Sequence, residues 1–145
     1  MAFRNDIFHI FMTGGEPFLH PNFCDLYVAL RKNGFLISIF TNASVLPPGV
    51  KQILAKHPPH LIEVSLYGFS EQSYLKTTRN TAFQQVMDHI AFFRSNKFNL
   101  TVKYIVLTST YADIPIFKNF SEIHKINTMY AAQVIPRLNG DLRKR

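Results

Sequence analysis

A single cysteine, Cys24, is all the thiol chemistry in 145 residues, so the sequence can build neither an internal disulfide nor a cysteine metal site. On the apolar side of a helix such a residue reads as a small core side chain. Acid is scarce too: 9 Asp and Glu stand against 16 Lys and Arg, for a formal charge of +7. That excess could attract nucleic acid or an acidic peptide. Its only dense cluster is the terminal Arg143-Lys144-Arg145, without an aromatic platform, so it reads as a solvated tail and no nucleic-acid partner is expected. No run of about 18 apolar residues occurs, so no transmembrane helix or membrane partner is expected. The first residues lack the apolar core of a secretory signal, which makes the cytoplasm the expected location. The six histidines, at positions 9, 20, 57, 60, 89 and 124, show no metal-ligand spacing, and no metal-binding residue is assigned.

What remains is ordinary for a globular protein. At 47% hydrophobic and 17% charged, the chain suits one compact domain or part of a larger one. Apolar, β-rich runs at 7–12, 35–40, 61–67, 100–107 and 128–135 alternate with helical periodicity. The first helix is expected from Phe23 to Asn33, with Phe23, Leu26, Tyr27 and Leu30 inward, Asn22 as N-cap and Gly34 closing it. A second begins near Pro48 around Val50, Ile53 and Leu54. Ser70 is expected to cap a short helix through Leu75, and a longer one spans Phe83 to Ser95 around Phe83, Val86, Met87 and Ile90. Asp113 is expected to cap the last, with Ile116, Phe120 and Ile123 inward. Strict β-α alternation predicts an α/β fold of about five parallel strands joined by right-handed crossovers.

Two strands carry a further signal. In "LIEVSLYG", Ile62, Val64 and Leu66 fall on one side and Glu63, Ser65 and Tyr67 on the other. In "TVKYIVL", Lys103 shares a face with Thr101, opposite Val102, Tyr104 and Val106. A strand buried on both sides would read as a continuous apolar run. The alternation predicts helices on one face and a partly polar lining on the other, as in an open barrel; an edge strand wetting its polar face is the other reading.

The loop after the first strand, "MTGGEPFLHP", holds two glycines, a glutamate and a proline. Sites in parallel α/β folds form at the carboxyl ends of strands. Glycines let a ligand approach the backbone, carbonyls and Glu16 accept hydrogen bonds, and Pro17 fixes the exit. That suits an ammonium group better than a phosphate, which would want N–H donors and a lysine. Alone, the four residues could equally be a glycine turn.

They are not alone. "FMTGGEPFLHPNFCDLYVALRKNGFLISIFTNAS" resembles the second and third βα units of radical S-adenosylmethionine (radical SAM) enzymes. The resemblance implies that Gly14, Gly15, Glu16 and Pro17 recognise the cofactor's amino group. It also implies that Thr41-Asn42 match a "TNG"-like turn with Ala43 in place of the glycine, making Asn42 a cofactor-site residue. "IEVSLYGFSEQSYLKTTRNTAFQQVMDHI" resembles the family's next stretch. Ser65 matches the serine near the ribose or carboxylate, and Arg79 stands where some members place an arginine near that carboxylate. Lys103 falls on a strand often bearing a lysine. "QVIPRLNGD" resembles the exit toward a cysteine-rich extension in peptide- and protein-modifying members.

The resemblance implies an incomplete (β/α)6-type barrel over 1–136, second to sixth βα units, with helices outside, and a basic tail at 137–145. It implies S-adenosylmethionine and a [4Fe-4S] cluster as cofactors of the complete protein, and a peptide or protein substrate. The family's Cys-x3-Cys-x2-Cys motif, three thiolates that hold the cluster, is absent here. The expected function is thus that of a fragment of a radical SAM enzyme, inactive alone, with no catalytic residue of its own. The alternative is a non-catalytic truncated relative binding a peptide, a nucleoside or a partner.

Overall fold

A computed structural model describes residues 8–132. Five strands form one sheet in the order β1-β2-β3-β4-β5: His9–Met12, Leu36–Thr41, Leu61–Leu66, Leu100–Ile105 and Asn127–Ala131. All four pairings are parallel. Helices α1 (Phe23–Lys32), α2 (Pro48–Lys56), α3 (Glu71–Thr78), α4 (Phe83–Ser95) and α5 (Ile114–His124) lie between them. Sequential parallel order with crossovers of one hand puts every return helix on the same side of the sheet. The core agrees: Tyr27, Leu54, Val86, Ile90, Phe93 and Phe117 from the helices are buried with Ile37, Ile39, Ile62, Val64, Val102 and Tyr104 from the strands. Tyr104 stacks on Phe117 at 4.6 Å.

The expected elements form, with local differences. α1 ends at Lys32, and Gly34 takes φ +85° just past it, a conformation glycine adopts freely. Asn22 occupies the N-cap but makes no capping bond through its side chain. Leu26 is exposed, so the inward stripe of α1 narrows to Phe23 and Tyr27 with Leu30 packed beside them. In α5 the expected inner face is rotated: Ile116 and Ile123 are exposed, while Phe117 and Ser121 are buried. Only Phe120 of the expected three packs inward, against Phe69. The expected last strand extended to 135; β5 ends at Ala131, and 133–135 lie outside the described residues, as does the segment 137–145.

The two sheet faces differ as the alternation implied. Ile62, Val64 and Leu66 meet the helices. The other face carries, in register, Phe11 beside Ser38, Phe40 beside Glu63 beside Thr101, and Ser65 beside Lys103 beside Met129. Among the described residues no helix covers this second face, where Phe11 and Met129 are about half exposed.

Candidate functional site at the carboxyl ends of the strands

β1 ends at Met12 and the chain turns through Gly14 and Gly15, both exposed, with Gly14 at φ +128°. A Cβ built on either glycine would meet nothing within 4 Å, so their backbone is open to a ligand. Glu16 follows in extended conformation and Pro17 opens a short 3-10 turn, Pro17–Leu19, as its first residue.

The Glu16 carboxylate faces β2. Its Oε1 accepts from the Thr41 hydroxyl at 2.6 Å and from the Phe18 N–H at 3.4 Å, and its Oε2 accepts from the Asn42 N–H at 2.9 Å. Thr41 Oγ1 in turn accepts from the Ala43 N–H at 2.9 Å, and Asn42 Oδ1 from the Ser44 N–H at 2.8 Å. The first loop is thereby riveted to the second. Burial raises the Glu16 carboxyl above its ordinary 4.5, while the bonds from Thr41, Asn42 and Phe18 pull it back down. Ala43 sits fully buried at φ +54°, where an L-residue is strained by roughly 1–2 kcal/mol. Its carbonyl accepts from His89 Nδ1 of α4 at 2.8 Å. The left-handed backbone is the reason the related turn carries glycine there.

α3 brings more to the same end of the sheet. A four-turn α4 already spans roughly 20 Å, the length of a six-residue strand, so α3 is an addition placed before the return crossing. Ser70 and Ser73 form a capping box at its start. Asp113 was expected to cap α5 but makes no such bond. Its carboxylate reaches back instead to the Phe69 N–H at 2.8 Å and to the hydroxyls of Ser70 and Ser73. Tyr74 is buried, and its hydroxyl is raised by burial first, then by Tyr67 and by the nearby Glu16 charge.

Of the residues singled out by sequence, Gly14, Gly15, Glu16 and Pro17 thus form one loop, which Glu16 bonds to Asn42. Asn42 contributes its backbone to Glu16 and its side chain to the turn. Among the described residues Ser65 shares no hydrogen bond with them; it is half-buried on the other face of β3 in register with Lys103. Arg79 is exposed and closes α3 in left-handed conformation, φ +58°. Sequence reasoning missed Thr41 as the partner of Glu16, and Asp113 as the brace of α3. A threonine at a strand end has no distinguishing local pattern, and Asp113 acts across 40 residues or more.

The residues do not fit the iron–sulfur cluster that the resemblance implies. Three thiolates would be needed; Cys24, the one cysteine, lies part-buried on α1 against the core. Among the described residues no three of His, Cys, Asp and Glu gather where a metal could be held. S-adenosylmethionine is different. An open glycine backbone beside a fixed carboxylate suits its ammonium group.

Comparison with known proteins agrees with this geometry. A dTDP-4-amino-4,6-dideoxy-D-glucose ammonia-lyase of Streptomyces venezuelae is 29% identical over 110 residues, which is 68% of this chain and 22% of that protein. SuiB of Streptococcus suis superposes with a TM-score of 0.71 at 18% identity, over 87% of this chain and 30% of SuiB. It has also been solved with S-adenosylmethionine and with the precursor peptide SuiA. Native anSMEcpe with bound AdoMet and a peptide gives 0.70 at 17% identity, over 88% of this chain and 38% of that one. At such identities the structures establish the fold. The family profile of the Radical SAM superfamily matches residues 1–120, and the chain belongs to that superfamily.

Proposed function

We propose that this chain is the S-adenosylmethionine-holding portion of a radical SAM enzyme that modifies a peptide or protein. The observation that carries the reading is the Gly14–Glu16 loop, open at the glycines and locked by Glu16 onto Thr41 and Asn42. Because chain donors already occupy both carboxylate oxygens, the ammonium is received by the exposed loop carbonyls, with the Glu16 charge acting from behind them. Pro17 fixes the exit of the loop, and Asn42 shapes its neighbour. Ser65 and Arg79 are assigned to the ribose or carboxylate side. S-adenosylmethionine is the family's source of a 5′-deoxyadenosyl radical. The cluster that would reduce it finds no ligands among the described residues, so the part of these residues is binding and orientation. The peptide-bound neighbours favour a peptide or protein substrate.

Calorimetric titration tests the reading. S-adenosylmethionine should bind the chain, and 5′-methylthioadenosine, which lacks the amino acid, should bind far more weakly. Glu16→Gln should weaken S-adenosylmethionine roughly ten- to a hundredfold, the loss of an ionic contribution. If affinity stays the same while the melting point falls, Glu16 is a brace between loops and no more.

A second reading, a non-catalytic partner-binding relative, is favoured by one feature. Beside β1, the sheet edge among the described residues, runs a groove of about 360 Å³ lined by Ile10, Met12, Phe23, Leu26 and Leu30 and reaching Gly15, Glu16 and His20 of the loop. Absence of S-adenosylmethionine binding would favour that reading.

A further inference from the structure

Midway along the uncovered face of the sheet, Lys103 Nζ donates to Glu63 Oε1 at 2.7 Å. The side chains are 31% and 10% exposed, so the pair is largely withdrawn from water yet reachable from the open side. Phe40 flanks Glu63 on β2, while Ser65 and Met129 flank Lys103 on β3 and β5. Among the described strands Lys103 is the only lysine or arginine on this face.

We propose that the Glu63–Lys103 pair reads one residue of an extended peptide: Lys103 donates to that residue's carbonyl oxygen while Glu63 accepts from the N–H of the same residue. The inference rests on the reading of the chain as a cofactor-holding fragment and names the chemistry of the second ligand. Three geometric and electrostatic facts support it. First, β4 is three strands from β1, about 14 Å along the sheet. An α-amino group held at the glycine loop cannot also be held at Lys103, which leaves the pair available to a second ligand. Second, the pair is formally neutral. A carboxylate or diphosphate on Lys103 would lie beside the Glu63 charge with no second cation on this face of the described strands to offset it, whereas a neutral amide meets no such repulsion. Third, the ammonium has further N–H donors and Glu63 has Oε2, so a donor and an acceptor stand side by side. That is the complement of the N–H and C=O that one extended residue turns to the same side. Phe40 and Met129 beside them offer apolar surface to the peptide's side chains.

The test is an amide-resolved NMR titration of the chain with acetyl-trialanine amide, and separately with thymidine diphosphate. The blocked peptide should give saturable shifts at Thr101, Lys103 and Met129. Lys103→Met and Glu63→Gln should each weaken it about tenfold, and Lys103→Arg should restore most of the loss. Saturable shifts with the diphosphate alone, unchanged peptide affinity in both variants, or no saturable shift would overturn the proposal. If a single variant unfolds, the double variant Glu63→Gln/Lys103→Met removes both charges together, and retained peptide affinity in it would equally overturn the proposal. A parallel titration with S-adenosylmethionine followed at Gly14 to Glu16 separates the two readings, since its failure leaves the peptide result standing.

Discussion

At Gly68 one hydrogen decides whether α3 can dock. Its φ is +146°, and a Cβ there would come within 2.5 Å of the Tyr74 N–H and 2.6 Å of Ser73 Oγ. Backbone cannot yield as a flexible side-chain end can, so Gly68→Ala should cost about 1–3 kcal/mol or more, read from urea unfolding. Wild-type stability in that variant would show that the loop re-forms at no cost. Glu16 makes a different residue-scale prediction. Its carboxyl is raised by burial, so the folded chain holds that proton more tightly than the unfolded chain does. Its contribution is therefore most favourable when protonated, and is lost as pH rises from the unfolded value through the raised folded one. Glu16→Gln cannot titrate. Unfolding free energies of the two proteins, measured from about pH 4 to 7, should shift against the wild type across that window. A pH-independent difference would contradict the raised value.

At the scale of elements, α3 is held by a residue from another helix. Asp113 is 9% exposed and gathers one backbone and two hydroxyl donors from Phe69, Ser70 and Ser73. Its neighbour Tyr104, whose hydroxyl donates to the Thr110 carbonyl at 3.0 Å, is pushed up to about 12 by burial, with Asp113 adding to the rise. Asp113→Ala should leave the Phe69 N–H without an acceptor, while the Ser70 and Ser73 hydroxyls keep each other and the Ser70 carbonyl, and cost roughly 1–3 kcal/mol. Hydrogen exchange gives the sharper readout: the amides of α3 should lose protection while those of β2 to β4 keep theirs. Uniform loss throughout the sheet would mean that Asp113 supports the whole fold and not α3 in particular.

For the molecule as a whole, the open sheet is the governing feature. β1 lies at the edge of the described sheet, and the run His9–Met12 has no lysine or proline to discourage pairing with another strand. Phe8 is 70% and Phe11 54% exposed nearby. The chain should therefore self-associate with rising concentration, as sedimentation would show. Phe11→Lys should reduce that association. Phe11 meets His9 and Phe40 at ring-centroid distances of 4.4 and 5.5 Å, so the change should cost only about 1 kcal/mol. Undiminished association in this variant would place the sticky surface elsewhere.

Much of this was legible in the sequence because it depends on local pattern. Period-two alternation in "LIEVSL" and "TVKY" separated the helix-facing from the open side of β3 and β4, and strict β-α alternation implied parallel, sequential strands. Capping at Ser70 and proline at the start of α2 are likewise local chemistry. The glycine loop was legible as a place where backbone is bared. The inner face of α5 was not: Ile116 and Ile123 satisfy helical spacing as well as Phe117 does, and only the position of Tyr104 selects which face turns in. The destination of a buried carboxylate was not legible either. Glu16 and Asp113 each look like a residue serving its own loop or helix, yet both end on donors from another βα unit. Side-chain periodicity is set by the backbone of one segment, whereas a carboxylate leaving water takes whichever donors packing brings within about 3 Å, and those come from segments far along the chain.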